Sequence, residues 1–335
     1  MQAHPTGAAG DAVASGHFFT SSGVKVTSPA PGNPAGSVPL STQELRLAAV
    51  LTGGVSLAVW MGGVARELNL LVQASDRRLA GPDQDPLRER YRQLLACVDV
   101  AVSVDVLSGT SAGGINAALL GMVNATGQEL SPLRDIWLQA GAFDKLLRDP
   151  GEPDPPSLLK GDGQLLAALR TGIGQLRQTP VSGVPSRTDV FITTTLLSPE
   201  VSRFTDDFGT VVTDADHHGL FHFNESDLRG DAILGPLALA ARSSASFPAA
   251  FEPAYLAYNE SPDPTHPDMA DYANTSRAHW AADGGLLANR PIGPLLQTVF
   301  DRPASREVRR ALLYIVPSSS PEPAGPAEQL SAPLG

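Results

Sequence analysis

The segment Gly109-Thr110-Ser111-Ala112-Gly113 has the residue types and spacing of a nucleophile elbow. In such an elbow a serine sits on a sharp turn between a strand and a helix. An apolar run, Val104 to Leu107, leads into it, and small and apolar residues at helical spacing, Ile115 to Leu120, follow it. The chemistry needs this order. Glycines at the flanking positions remove side chains that would collide in the turn. The hydroxyl then stands at a helix N-terminus, where free amide N–H groups and the helix dipole favour developing negative charge.

A serine hydroxyl is a weak nucleophile until a base within hydrogen-bond reach takes its proton. His217, His218, His222, His266 and His279 follow Ser111, and none lies beyond Asp283. Asp283 therefore cannot be the acid in the order serine, acid, histidine of the α/β-hydrolases. His217, His218 and His222 fall in a polar segment, His266 in a proline-rich loop, and His279 beside Trp280, where a buried structural role is expected. Asp283 is the better base. It closes the short apolar segment from His279 to Ala282 and is followed by Gly284-Gly285, which leaves a carboxylate at a strand end with little steric cover. Taken alone, the same residues also fit an ordinary Asp-Gly turn. A further glycine turn, Thr52-Gly53-Gly54-Val55-Ser56, lies upstream between an apolar strand and a helix-period run.

The elements that must position these groups follow from periodicity. Strands are expected over 45–51, 98–107, 189–197 and 311–316, with a hairpin-like excursion over 204–223. Helices are expected over 57–73, 87–97, 112–124, 133–147, 158–176, 234–242 and 294–300. Loops fall at 76–86, 178–186 and 258–278. Four prolines break the chain at 149–157, and this insert with the helices after it is placed as a cover over the site. Residues 1–40 and 318–335 read as a mobile tail and a proline-rich tail or linker, around a domain spanning 44–317. Strands alternating with helices predict a parallel or mixed sheet covered on both faces.

The 335 residues, 42% of them hydrophobic, suffice for one large α/β domain or two smaller ones. The net charge of −11 argues against nucleic acid as a partner and against purely electrostatic docking on an anionic membrane. A single cysteine, Cys97, excludes an internal disulfide and a thiolate metal cluster. It is expected to be a small buried apolar residue. No basic region precedes an apolar core near residue 1, so a cytoplasmic location is expected. Residues 47–65 carry no charge, which raises a membrane span. Gly53, Gly54, Gly62 and Gly63, and the split into a strand and a helix, argue against it.

The three glycine-marked blocks together resemble the patatin-like phospholipase family over roughly 45–316. The family's glycine-rich oxyanion loop, G-x-S-x-G serine and D-G-G aspartate occur here in that order, as Gly53-Gly54, Gly109 to Gly113, and Asp283-Gly284-Gly285. The segments from Arg242 to Phe251 and from Asp189 to Leu197 resemble two further blocks. The resemblance implies a three-layer α/β/α fold with a central, mostly parallel sheet, and acyl-ester hydrolysis on lipids by a Ser111–Asp283 dyad, without histidine, metal or cofactor. Main-chain N–H groups of Gly53, Gly54, Val55 and Ala112 would hold the oxyanion. The implied partners are a lipid or acyl-ester substrate and, peripherally, a membrane surface. Val55 stands where the family has a third glycine, and Leu57 where it commonly has a basic residue. Two other readings remain beside this one: a Ser–His–Asp esterase using His266 or His279, and a non-enzymatic lipid-binding or scaffold module of the same fold.

Overall fold

Side chains alternate between the two faces of a strand, so an apolar strand can feed two cores at once. Residues 45–51 do this. Leu47, Ala49 and Leu51 enter the larger core, while Ala48 and Val50 enter a smaller one with Val106, Phe191 and Leu295. The computed structural model describes residues 43–54, 58–76, 85–205, 207–260, 263, 265–304 and 307–317. The two tails, most of the 76–86 loop, and the oxyanion candidate Val55 lie outside these residues.

In chain order, β1 (Gln43–Leu51), α1 (Ala58–Ala74), α2 (Pro86–Val98), β2 (Val100–Thr110) and α3 (Ala112–Thr126) build the first half. Then come α4 (Leu133–Ala140), α5 (Phe143–Leu146), a π-helical turn (Gly161–Leu166) running into α6 (Ala167–Arg177), β3 (Asp189–Thr205) and β4 (Val211–Phe223). The chain continues through α7 (Glu225–Arg229), a 3-10 turn, α8 (Leu234–Ser244), β5 (Ala254–Leu256), β6 (His279–Asp283), a second 3-10 turn (Gly284–Leu286), α9 (Ile292–Asp301) and β7 (Val308–Ile315).

The strands form one sheet in the order β5-β6-β3-β2-β1-β7, with β4 on the other edge of β3. β7, β1, β2 and β3 are mutually parallel, and β4, β5 and β6 run antiparallel to their neighbours. α9 covers one face through Leu295, Ile292 and Val299. α1, α3 and α8 pack in the large core on the other. This is a mixed, mostly parallel sheet between helical layers, the three-layer α/β/α arrangement expected. α3 is buried along nearly its whole length, which its all-round small and apolar composition requires.

Several expectations change. The strand expected over 189–197 continues to Thr205 and pairs with β4 as one long hairpin, so the excursion begins earlier. The helix expected over 133–147 is broken between Ala140 and Phe143. The region 158–176 becomes helical only at Gly161, and begins with a π turn. Cys97 is exposed, contrary to expectation, because α2 buries only Leu95 and presents its other faces outward. α2 is bounded by Asp85, which accepts from the N–H groups of Leu87 and Arg88, and by a left-handed Asp99.

Candidate active site

Strand register brings the serine and the aspartate together. β2 runs parallel to β3, and its last pair is Thr110 with Thr193. β6 runs antiparallel to β3, and its last pair is Asp283 with Thr194. β4 occupies the opposite edge of β3 at these same two residues. β2 and β6 must therefore share one edge and meet end to end. Ser111 follows Thr110 directly, and its Oγ donates to Asp283 Oδ2 at 2.7 Å. The Asp283 main chain is held on both sides: its N–H donates to the Ser246 carbonyl at 2.9 Å, and its own carbonyl accepts from Thr195 Oγ1 at 2.9 Å.

The elbow is strained at the serine itself. Ser111 has φ 54° and ψ −127°, a conformation that costs a non-glycine residue on the order of 1–3 kcal/mol. Its N–H donates to Ser244 Oγ at 2.7 Å, which helps to hold it there. Ser111 stands at the N-cap of α3 but makes no capping bond with its side chain, so the hydroxyl is left for Asp283. Gly109 and Gly113 permit the close crossing of β2, α3 and β1. A Cβ on Gly109 would lie 2.5 Å from the Gly113 carbonyl oxygen, and one on Gly113 would run into the Leu51 carbonyl and lie 2.6 Å from that of Thr52. Gly113→Ala is expected to destabilise the fold by about 3 kcal/mol, the upper part of the range for overpacking. A urea midpoint equal to that of the wild type would contradict this.

Asp283 is only 3% exposed. Burial raises its carboxyl above the ordinary aspartate value, and the bonds from Ser111 Oγ and the Gly285 N–H only partly offset that rise. Gly285 N–H donates to Asp283 Oδ1 at 2.7 Å, so one carboxylate oxygen is anchored and the other faces the serine. Gly284 packs against Thr193, where a Cβ would lie 2.6 Å from Oγ1.

Of the predicted oxyanion donors, Gly53 already gives its N–H to Asn289 Oδ1, at 2.6 Å. Gly54 lies against Pro317. Ala112 opens α3, where first-turn amides have no acceptor within the helix.

The patatin-like phospholipase family profile matches residues 49–296, which takes in all three glycine-marked blocks. The chain belongs to that family. It is also 50% identical, over 321 aligned positions, to an uncharacterized membrane protein of Mycobacterium tuberculosis. That match covers 88% of this chain and 30% of the relative, so the chain spans less than a third of the relative's length. Patatin-like phospholipases are lipid acyl hydrolases. Among the described residues, no helix is long and apolar enough to cross a membrane. Of the uncharged run 47–65, residues 47–51 lie in β1 and 58–65 in α1.

In this patatin-like chain every histidine after Ser111 has a partner elsewhere. His217 Nδ1 meets the Leu196 carbonyl and His218 meets Asp216. His222 meets Asp189 and stacks on Phe191. His266 lies between Asp162 and Asp263. His279 is buried, with Nε2 2.7 Å from Glu200 Oε1 and Nδ1 3.2 Å from Ser198 Oγ.

Sequence reasoning assigns no role to four supporting residues of the site, although Arg242 and Ser244 fall in the 242–251 block. Ser244 and Asn289 hold main-chain groups of the elbow and the glycine loop. Asn116 lies in α3, where its Nδ2 donates to the Ala58 carbonyl at 3.1 Å and its Oδ1 accepts from Trp137 Nε1 at 3.1 Å, which fixes the start of α1. A polar amide one turn after the elbow, in a helix of small and apolar residues that carries one other asparagine, Asn124, is the signal that could have found it. Arg242 is fully buried, ion-paired with Asp162 and Glu252, and hydrogen-bonded to Ser246 Oγ and the Glu252 carbonyl. The same network ties down the proline-rich insert: Arg148 pairs with Glu252 at 3.1 Å, and the N–H groups of Leu158 and Leu159 bond the carbonyls of Ala249 and Ala250.

Proposed function

We propose that the chain hydrolyses acyl esters of lipids through Ser111 and Asp283, as a phospholipase A or lysophospholipase-like enzyme. The 2.7 Å bond from Ser111 Oγ to a buried carboxylate carries the reading. Asp283 takes the hydroxyl proton as Oγ attacks the acyl carbonyl carbon. The tetrahedral oxyanion is received by main-chain N–H groups of Gly54, Val55 and Ala112, since that of Gly53 is engaged by Asn289. Loss of one such donor costs about 2.7–4 kcal/mol in the transition state. Asp283 then returns the proton to the departing alcohol oxygen, and the acyl group remains on Ser111. Water attacks the acyl-serine with Asp283 again as base, and Asp283 returns that proton to Ser111 Oγ as the fatty acid leaves.

A carboxylate is a weaker base than imidazole, and burial narrows that gap by raising its proton affinity. Only ionised Asp283 can accept the proton. Turnover is therefore lost as pH falls through a value above the ordinary aspartate range. A kcat/KM profile whose acid limb lies at or below that range would contradict the assignment.

Incubation with lysophospholipid, diacyl phospholipid and acylglycerol, followed by fatty-acid quantification, tests the activity. Release from at least one class is expected, and none from Ser111→Ala. Binding to lipid vesicles without release from any class would favour the scaffold reading instead.

A further inference from the structure

The loop after Asp283 does more than carry the base. Ala288 is fixed within it by its N–H on the Gly284 carbonyl, at 2.8 Å. The Ala288 carbonyl accepts from the hydroxyls of Thr110, at 2.8 Å, and Thr193, at 3.2 Å. These two hydroxyls are themselves 2.6 Å apart. Thr110 is the residue before Ser111, so the Asp283 loop is stitched to the elbow one residue from the nucleophile. Asn289 comes next, and its Oδ1 accepts the Gly53 N–H across 236 residues of chain. Gly53 in turn lies against the serine: a Cβ there would be 3.1 Å from Ser111 Cβ and 2.7 Å from Asn289 Oδ1.

The glycine loop has two other ties nearby. Thr52 N–H bonds the Ile315 carbonyl upstream, and Ala58 is held by Asn116 downstream. The second also reaches the elbow, since Asn116 Nδ2 donates to the Ala112 carbonyl at 3.0 Å, but on the loop side it acts at Ala58, well beyond Gly53. The Asn289 bond acts on Gly53 itself, beside Ser111, and it ends on a residue whose neighbour is already locked to β2 and β3.

We propose that Asn289 is a positioning residue that sets the height of the glycine loop over Ser111. It uses the Gly53 N–H as an anchor so that the Gly54 amide after it faces the developing oxyanion. One seven-residue stretch, 283–289, then places both halves of the machinery, the proton acceptor and the oxyanion loop, relative to one serine. This rests on the function proposed above. A misplacement of about 1 Å in such a site can lower a rate by about 100-fold.

Two measurements on Asn289→Ala and Asn289→Asp test it. The first is amide exchange at Gly53, followed by NMR. Protection is expected in the wild type and in Asn289→Asp, which keeps an acceptor, and exchange faster by about tenfold or more is expected in Asn289→Ala. The second is turnover of a short-chain nitrophenyl ester. Asn289→Ala is expected to lower kcat by about 100-fold with little change in KM and no loss of thermal stability. Faster or unchanged turnover in Asn289→Ala would show that the side chain merely plugs the oxyanion hole, and would overturn the proposal. So would an unprotected Gly53 in the wild type, or equal protection in Asn289→Ala. If the wild type cleaves no ester, the proposed function fails, and the exchange comparison still decides whether Asn289 holds the loop.

Discussion

Asp283→Asn is expected to lower kcat on a nitrophenyl ester by about 1,000-fold, within the range for loss of a positioned general base. The amide keeps the shape of the side chain and its acceptor toward the Gly285 N–H, but cannot take the serine proton. Ser111→Ala should fall at least as far, and the double variant no further, because the two groups act as one unit. The same Asp283→Asn change should make the protein more resistant to heat at neutral pH. The sign follows from linkage. A carboxyl whose folded value is raised contributes stability only in its protonated form. That contribution is complete below the unfolded value and is lost as pH rises through the folded one. At neutral pH the buried charge is a cost that the neutral amide removes. Loss of activity with gain of melting temperature separates a strained functional carboxylate from a structural one. A lower melting temperature would contradict the account.

Arg242→Met carries the largest expected loss of stability, about 3–5 kcal/mol, the usual cost of removing one partner from a buried ion pair. Arg242 is fully buried, and a Cβ on Gly161 would lie within its guanidinium. Burial pushes its own pKa down, and Asp162 and Glu252 pull it back up. Glu252 shows the opposite balance. Burial opposes its ionisation, yet the Ser157 hydroxyl and the Asp162 N–H hold its carboxyl at about 2. Its stabilising contribution is therefore present above the ordinary glutamate value of 4.5 and is lost as pH falls from there through about 2. Without Arg242, Asp162 and Glu252 lose a shared cation, and the Ser246 segment that bonds the Asp283 N–H loses its anchor. Urea denaturation reads the loss directly. A midpoint within experimental error of the wild type would refute the role given to this network.

What is legible in the sequence is local. The strand–glycine–helix units at 45–73 and 98–124 announce themselves because sterics at a tight turn act within a few residues. Gly109 and Gly113 are needed for contacts inside the elbow and with the neighbouring strand. The serine and the aspartate can be named because each sits at such a turn. Their meeting does not follow from spacing, since it depends on β2 and β6 sharing an edge of β3. Long-range polar partners are hidden for the same reason. Arg242 and Ser244 fall in the 242–251 block, but their roles, like that of Asn289, depend on groups far away in the chain or buried by packing, and no local pattern assigns them. Cys97 shows the converse error: its helix is amphipathic with a narrow buried stripe, and residue type alone does not say which side of it faces out. The need for glycine at 161 is likewise tertiary, since the Arg242 guanidinium fills the space a side chain there would take.

The most direct test is covalent. A fluorophosphonate reacts with a serine only where a base removes its proton and donors receive the phosphoryl oxygen. Peptide mapping by mass spectrometry should find one adduct, on Ser111, formed at least about 100-fold more slowly in Asp283→Asn and at an unchanged rate when His266 and His279 are both replaced by alanine. No adduct, an adduct on another residue, or an undiminished rate in Asp283→Asn would contradict the central claim that a buried carboxylate activates this serine.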